Sequence, residues 1–292
     1  MTIKILSDFD GVWTDQVLEA RGVRDFMIAE AARLARIPSN RAVDDFDRFE
    51  AALRANPGAH GWAPDGRITA YVDEDPFCVG NAIAAWIERA EGELEARYRA
   101  GVRDGGFESM NAFADHCFFT ATGHFRAMHP PALVPDAKAV FEQLVEVGAE
   151  VVVVSNSQPS KLIDWFRNSG IDAGEDAGHA LRVRGSAAKF VLGATDATIT
   201  VAGRPVFVDR PSYRAIIEAE APDLVIGDVF SLDLALPHVM RTEGAAGAPR
   251  ELVLRRHRHT PAWIAEGRAE GAIDHVVESV ADLAGLATGA HA

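Results

Sequence analysis

Cysteine is scarce in this chain: Cys78 and Cys117 are the only two among 292 residues. Two distant cysteines exclude a disulfide scaffold or a thiolate zinc site, because both need several cysteines at short spacings. We expect both to be reduced, buried thiols. Long hydrophobic runs are also missing: the chain contains no stretch of about 18 apolar residues, and its start lacks the pattern of a signal peptide. We therefore expect no export and no membrane span, and predict a cytoplasmic protein.

Positive charge is in short supply as well, since 29 lysines and arginines stand against 43 aspartates and glutamates. The formal net charge of −14 argues against binding nucleic acid or an anionic membrane through the overall field of the protein. An anionic ligand would need a local cluster of positive side chains. The 48% of hydrophobic residues is enough to fill one large core or two ordinary ones. No pattern in the sequence predicts the oligomeric state.

Hydrophobic patterning divides the chain into two kinds of segment. Short apolar strands are predicted at Ile3–Leu6, Val151–Val154, Leu224–Ile226 and Leu252–Leu254. After about residue 130 these strands alternate with helices, which predicts a parallel sheet covered by helices on both faces. Residues 15–129 show helical periodicity instead. We therefore predict a doubly wound α/β core, residues 1–14 and 130–292, with an all-helical domain, residues 15–129, inserted after the first strand.

Two later segments have patterns of their own. Around Gly203-Arg204-Pro205, apolar residues alternate with polar ones and predict a β-hairpin in the long segment 171–208, which is either a flap over a site or a sheet edge. Val276, Val277, Val280 and Leu283 have roughly helical spacing and predict a closing helix.

The pair Asp8 and Asp10 follows the first predicted strand directly and precedes Gly11. In an open parallel sheet, ligands bind outside the carboxyl ends of the strands, so these two carboxylates are expected to face a site. Like charges this close repel each other unless a cation lies between them or one carboxyl keeps its proton. The first case fits a hard cation such as Mg²⁺, and the second fits a general acid beside a nucleophile.

Polar residues also follow two other predicted strands. Ser155-Asn156-Ser157 comes directly after Val151–Val154, and Asp228 and Asp233 come shortly after Leu224–Ile226. Arg210 precedes the latter strand by fewer than twenty residues. Each motif alone has an ordinary structural explanation, such as a strand-end hydrogen bond, a helix cap or a surface ion pair. Their recurrence at one edge of a predicted sheet favours a functional site.

Taken in order, Asp8-Phe9-Asp10, Ser155, Arg210 and the segment Asp228 to Asp233 resemble the four motifs of the haloacid dehalogenase-like (HAD) hydrolase superfamily. The resemblance covers the predicted core, for which it implies the Rossmann-like fold of that superfamily. The inserted segment matches only in its position, where members of the superfamily often carry a helical cap. A cap of this size favours a small substrate.

The resemblance implies a role for each matched residue. Asp8 would be the nucleophile that takes the phosphoryl group, and Asp10 would be the acid/base that protonates the leaving oxygen and then activates water. The phosphate-binding residues would be Ser155, Asn156 and Arg210. The Mg²⁺ ligands would be Asp8, the backbone carbonyl of Asp10, Asp228 and Asp233, the last directly or through water.

The third motif departs from the family pattern, which usually has lysine where this chain has Arg210. Lys189 is the alternative cation, but it lies further from Asp228 along the chain, so we expect Arg210 to fill the role and Arg210→Ala to cost more activity than Lys189→Ala. The basic run Arg255 to His259 follows a predicted strand and is either an anion-binding element or a solvated surface.

The function implied by this resemblance is a Mg²⁺-dependent phosphatase that acts on a small phosphorylated metabolite. A phosphomutase of the same superfamily shares every core residue named here and remains the alternative. A dehalogenase is disfavoured, because that branch needs no magnesium site and generally lacks an aspartate two residues after the nucleophile. A binding protein that keeps the fold without catalysis is favoured only by the altered third-motif cation.

Overall fold

The computed structural model describes residues 2–288. In chain order its strands are β1 (Lys4–Ser7), β2 (Gly61–Trp62), β3 (Ala70–Tyr71), β4 (Glu150–Val154), β5 (Ala173–Gly174), β6 (Leu181–Arg184), β7 (Thr198–Val201), β8 (Arg204–Phe207), β9 (Leu224–Gly227), β10 (Glu251–Arg255) and β11 (His275–Val277).

Its helices are α1 (Val17–Ala35), α2 (Ser39–Ala55), α3 (Cys78–Arg89), α4 (Glu93–Asp104), α5 (Met110–Met128), α6 (Ala137–Glu146), α7 (Pro159–Asn168), α8 (Pro211–Glu220), α9 (Ala235–Thr242), α10 (Ala262–Ala265), α11 (Arg268–Gly271) and α12 (Leu283–Ala287). None of these described helices combines the length and the apolar character needed to cross a membrane.

A parallel sheet forms the centre of one compact unit, which is made of the described residues before Gln16 and after Pro130. Within the described chain the sheet has seven strands in the order β11-β10-β9-β1-β4-β6-β5. Strands β4, β6 and β5 lie on one side of β1, and β9, β10 and β11, which come later in the chain, lie on the other, so the direction of winding reverses at β1. Ligands bind at such a reversal point in open α/β sheets. The predicted α/β fold class is confirmed.

Burial follows from the sheet being covered on both faces. Val151, Val152, Val153 and Val154 are all buried, as expected for a central parallel strand without apolar and polar alternation. The core on one face includes Ile5, Phe9, Leu162, Phe166 and Ile226.

Two elements differ from the sequence patterning: Val276 and Val277 lie in strand β11 rather than in a closing helix, and the short strands β5 and β6 lie in the segment after residue 170. β-Branched valines fit a pleated sheet at least as well as a helix.

The predicted hairpin in the 171–208 segment is confirmed. Strands β7 and β8 pair antiparallel, with Thr198 opposite Phe207 and Val201 opposite Arg204. This hairpin forms a sheet of its own, separate from the parallel sheet.

Residues Gln16–Pro130 form the second compact unit. Helices α1 to α5 pack around an apolar core that includes Met27, Phe46, Ile83 and Phe113. The segment is helical as predicted, except for the two-stranded ladder in which Gly61 pairs with Tyr71. The glycine- and proline-containing loop between α2 and α3 forms this ladder, because such residues disfavour a continuous helix.

A network of charged side chains links the parallel strands to α8. Glu220 is 4% exposed and accepts hydrogen bonds from Arg182, at 2.7 Å, and from Arg184, at 2.8 Å. Lys4 lies 3.7 Å from both Glu150 and Glu220, and Arg182 also bonds Glu150. Burial opposes the charge of Glu220, but the arginine hydrogen bonds outweigh it and hold the pKa of Glu220 below its ordinary value.

We expect Glu220→Gln to lower the free energy of unfolding by about 1 to 2 kcal/mol, because Arg184 loses its charged acceptor and Arg182 loses one of its two. Urea unfolding followed by circular dichroism measures the change. The matched control is Glu142→Gln on α6, whose exposed pair with Lys138 should be worth less than about 0.5 kcal/mol.

Wild type and Glu220→Gln also allow the charge of Glu220 to be tested by pH. Since the folded pKa of Glu220 is depressed, its stabilisation is present above the unfolded pKa and is lost as pH falls through the folded pKa. The difference between wild type and Glu220→Gln should therefore shrink on acidification. A difference that stays constant would contradict the charge-based explanation.

Candidate active site

The carboxyl ends of β1, β4 and β9 lie side by side. Ser7, the last residue of β1, is level with Val153 of β4 and Ile226 of β9. Residues that follow these strands are therefore brought to one edge of the sheet. The backbone N–H of Asp8 donates to the carbonyl of Ile226 at 2.9 Å, which continues the ladder to the first predicted site residue.

A tight turn then reverses the chain after Asp10. Gly11 has φ of 81°, a conformation that glycine adopts without steric cost. The backbone N–H of Trp13 donates to the carbonyl of Phe9 at 2.9 Å, and its indole N–H donates to the Ser7 hydroxyl at 2.8 Å. Trp13 is fully buried, so this bulky residue anchors the turn from the core side.

Three carboxylates from two strand ends converge at this edge. Asp8, Asp228 and Asp233 each have a carboxylate oxygen within 4.8 Å of those of the other two. Asp233 lies on a π-helical turn, Phe230–Leu234, and its carboxylate accepts the N–H of Val229 at 3.1 Å. A side chain at Gly227 would meet the Cβ of Asp233 at 2.2 Å, so only glycine allows this turn to approach the end of β9.

The carboxylates of this cluster repel one another, and a bound cation would offset that repulsion. Burial raises the pKa of Asp8 well above its ordinary value, Lys189 opposes this, and the charges of Asp233, Asp228 and Asp10 raise the pKa further. Hard divalent cations take carboxylate oxygens as ligands. The donor type and the approach of Asp8, Asp228 and Asp233 within 4.8 Å are therefore compatible with a shared divalent cation such as Mg²⁺.

The structure places Lys189 beside Asp8, whereas the sequence favoured Arg210 for that position. The Lys189 ammonium lies 2.6 Å from Asp8 Oδ1 and 2.8 Å from Asp233 Oδ1. Arg210 is also buried, but its guanidinium donates to the backbone carbonyl of Lys189. Although burial opposes the charge of Lys189, Asp233 and Asp8 hold its pKa above the ordinary value, so the side chain stays protonated.

Lys189 reaches the site because its loop is attached to the loop after β4. The backbone N–H of Ala187 donates to the Ser155 carbonyl at 3.0 Å, and that of Ser186 donates to the Ser157 carbonyl at 2.8 Å. The backbone N–H of Lys189 donates to Asn156 Oδ1 at 2.7 Å. Asn156, predicted as a phosphate-binding residue, therefore has its amide oxygen engaged in positioning Lys189.

Asp10 lies among hydroxyl groups and a second lysine. Asp10 Oδ2 is 3.5 Å from the Ser155 hydroxyl and 3.3 Å from the Ser157 hydroxyl, and both can donate to it. Lys161 Nζ lies 3.5 Å from Asp10 Oδ1 and donates to Ser157 Oγ at 2.9 Å. Lys161 was missed in the sequence. The available signal was its position in the first turn of α7, four residues after Ser157 and close along the chain to the loop after β4.

His257, in the basic run Arg255 to His259, contacts the acidic cluster. It follows β10 by two residues, and its Nε2 lies 2.8 Å from the Gly11 carbonyl and 3.4 Å from Asp228 Oδ2. Burial, assisted by Arg255, lowers the pKa of His257. The exposed Arg256 instead pairs with Glu278. The run is thus divided between a contact with the site and the surface.

The predicted site residues lie around the carboxyl ends of β1, β4 and β9, and Arg210 contacts the backbone of Lys189. Carboxylates, hydroxyls and ammonium groups surround the end of β1, and their chemistry suits an anionic substrate whose charge is offset by cations. Asp8 and Asp10 are placed so that one carboxylate is near Lys189 and the other is near hydroxyl donors. Two carboxylates in different environments can take the separate roles of nucleophile and acid/base.

No protein-family model and no curated protein matches the chain. Solved structures similar to it include CbbY from Rhodobacter sphaeroides in complex with phosphate, at 14% identity and TM-score 0.48, covering 97% of this chain and 96% of that one. The 2-haloacid dehalogenase from Pseudomonas syringae has 15% identity and TM-score 0.43 over 100% of both chains. The HAD-hydrolase YfnB from Bacillus subtilis, bound to magnesium, has 12% identity and TM-score 0.45 over 98% and 99%. These neighbours are HAD-like hydrolases, the superfamily that the sequence motifs resemble.

Proposed function

We propose that this protein is a Mg²⁺-dependent phosphatase that hydrolyses a small phosphorylated metabolite in the cytoplasm through an aspartyl-phosphate on Asp8. The observation that carries the proposal is the convergence of Asp8, Asp228 and Asp233 within 4.8 Å, with the Lys189 ammonium 2.6 Å from Asp8. A carboxylate can attack phosphorus only when its charge and that of the phosphate are offset before reaction.

The proposed chemistry has two displacements at phosphorus. An oxygen of Asp8 forms a bond to phosphorus, the bond to the ester oxygen breaks, and Asp10 gives its proton to that leaving oxygen. Asp10 then takes a proton from water as the water oxygen forms a bond to phosphorus and the bond between phosphorus and the Asp8 oxygen breaks. Inorganic phosphate leaves, and the Asp8 carboxylate and the protonated Asp10 are both regenerated.

The neighbouring residues would stabilise the charge of the transferring group. Lys189 supplies a fixed positive charge beside the nucleophile, and the Ser155 hydroxyl is a donor for a phosphoryl oxygen. Asp8, the backbone carbonyl of Asp10, Asp228 and Asp233 would hold Mg²⁺, which when bound offsets the negative charge of the phosphate. Lys161 and Ser157 would orient the Asp10 carboxylate for proton transfer.

The environment of Asp10 favours phosphate chemistry over dehalogenation. A phosphate ester leaves as an oxygen anion that needs a proton, whereas a halide leaves without one. An aspartate placed among hydroxyl donors beside the nucleophile meets the first need and has no role in the second.

The test is the hydrolysis of p-nitrophenyl phosphate with Mg²⁺ and after removal of divalent ions by EDTA. We expect at least about a 100-fold loss of turnover without Mg²⁺, since the buried carboxylates then repel the phosphate. Asp10→Asn should reduce turnover by about 10² to 10⁴, the usual contribution of a general acid or base. The matched control, Asp164→Asn on the exposed side of α7, should retain wild-type activity.

Hydrolysis that is equal with and without Mg²⁺ would contradict the proposal. So would release of halide from a haloacid in the absence of phosphatase activity. If hydrolysis depends on Mg²⁺, a screen of phosphorylated sugars and other small metabolites for released phosphate would identify the substrate. Transfer of phosphate between positions of one sugar without release would identify a phosphomutase.

A further inference from the structure

His257 connects two parts of the site that are far apart in the sequence. Its Nε2 lies 2.8 Å from the carbonyl oxygen of Gly11, in the turn that presents Asp10, and 3.4 Å from Oδ2 of Asp228. Since a carbonyl oxygen can only accept, Nε2 must carry the hydrogen. The partial positive charge of this N–H group is also close enough to attract the Asp228 carboxylate, whose Oδ2 lies 3.4 Å from Nε2.

The imidazole is itself held by the loop after β10. The backbone N–H of His257 donates to the Thr260 hydroxyl at 2.8 Å, and the backbone N–H of Thr260 donates to the His257 carbonyl at 3.2 Å. The ring of His259 stacks nearly parallel on that of His257, with their centroids 5.1 Å apart. A side chain fixed in this way can position its hydrogen-bond partners rather than follow them.

We propose that His257 is a positioning residue for the divalent ion, fixing the carboxylate of Asp228 and the turn at Gly11 so that the ligands stand ready before the ion binds. This inference rests on the proposed function, because it concerns the same metal site. Groups that orient metal ligands typically contribute 10-fold to 100-fold to metal affinity. Removal of the His257 side chain should therefore weaken Mg²⁺ binding without preventing the protein from folding.

The experiment measures Mg²⁺ binding by isothermal titration calorimetry and the thermal midpoint of each metal-free protein by circular dichroism. His257→Leu removes the donor, whereas His257→Gln keeps an amide N–H near the position of Nε2. We expect His257→Leu to weaken Mg²⁺ binding by about 10-fold to 100-fold and His257→Gln to remain within about 3-fold of wild type. The control, His275→Leu, removes a histidine that pairs with Glu251 at the surface and should bind Mg²⁺ as wild type does.

Wild-type Mg²⁺ affinity in His257→Leu would overturn the inference, and so would equal losses in the leucine and glutamine variants. If His257→Leu does not fold, His257→Asn replaces it, because its shorter side chain places the amide away from Gly11 and should bind Mg²⁺ more weakly than His257→Gln. Equal affinities of those two variants would also refute it.

Failure of the inference can be distinguished from failure of the proposed function. If the wild-type protein binds Mg²⁺ but hydrolyses no phosphate ester, the proposed phosphatase activity is wrong, and the binding data still test the role of His257. A wild-type protein that binds no Mg²⁺ removes both.

Discussion

Asp8→Asn is expected to abolish the hydrolysis of phosphate esters, with a loss in kcat of at least about 10³-fold, because the amide cannot act as the nucleophile. The substitution removes a charge and almost no volume. Burial raises the pKa of Asp8, and the neighbouring carboxylates raise it further against the opposing charge of Lys189, so the neutral amide removes an unfavourable charge in the metal-free protein. We therefore expect the metal-free thermal midpoint to be unchanged or higher, which separates loss of chemistry from loss of fold.

Two measurements check this expectation. Steady-state turnover of p-nitrophenyl phosphate gives the loss in kcat, and mass spectrometry of protein quenched in acid during turnover detects the phosphoryl group on Asp8 in wild type only. Asp164→Asn is again the matched control. Full activity in Asp8→Asn, or a phosphoryl group trapped on another residue, would remove Asp8 as nucleophile.

Lys189→Met should have the next largest effect, a loss of about 10² to 10³-fold in kcat, because it removes a fixed positive charge aimed at the reacting group. The ammonium lies between Asp8 and Asp233, so its removal also leaves two buried carboxylates facing each other. Lys138→Met, on the exposed face of α6, is the control for loss of a lysine and should leave turnover unchanged.

Comparison with Arg210→Lys tests whether the structure identifies the right cation. The Arg210 guanidinium donates to the carbonyl of Lys189, so we expect Arg210→Lys to reduce kcat less than Lys189→Met does. Arg210→Lys should lower the thermal midpoint and keep most of the wild-type activity. The opposite order of activity loss would restore the cation that the sequence favoured.

The sequence-based preference was for Arg210, whereas the fold places Lys189 beside Asp8. That preference relied on distance along the chain from Asp228, but the hairpin β7–β8 occupies the segment between Lys189 and Arg210. An inserted hairpin lengthens the chain without moving its flanking residues apart in space. The hydrogen bonds from Ala187 and Lys189 to the loop after β4 then decide which side chain reaches Asp8.

Other site residues were predictable because they follow strands directly. Asp8, Ser155 and Asp228 each follow an apolar run whose identity as a buried strand is a local property of the sequence. Parallel strands share one carboxyl edge, so their next residues must meet there. The sequence left the basic run that contains His257 as either an anion-binding element or a surface, and it did not predict Lys161, because the contacts of these residues with Asp228 and Asp10 join segments remote in the sequence.

The sequence by itself determined the alternation of strands and helices, the inserted helical segment and the acidic edge, since each depends on short-range hydrophobic patterning and on residues next to it. Only the tertiary structure decided that Lys189 faces Asp8, that Arg210 donates to the backbone carbonyl of Lys189, and that His257 lies between Gly11 and Asp228. These are contacts between distant segments, and they depend on the path of connecting loops, for which local periodicity carries no information.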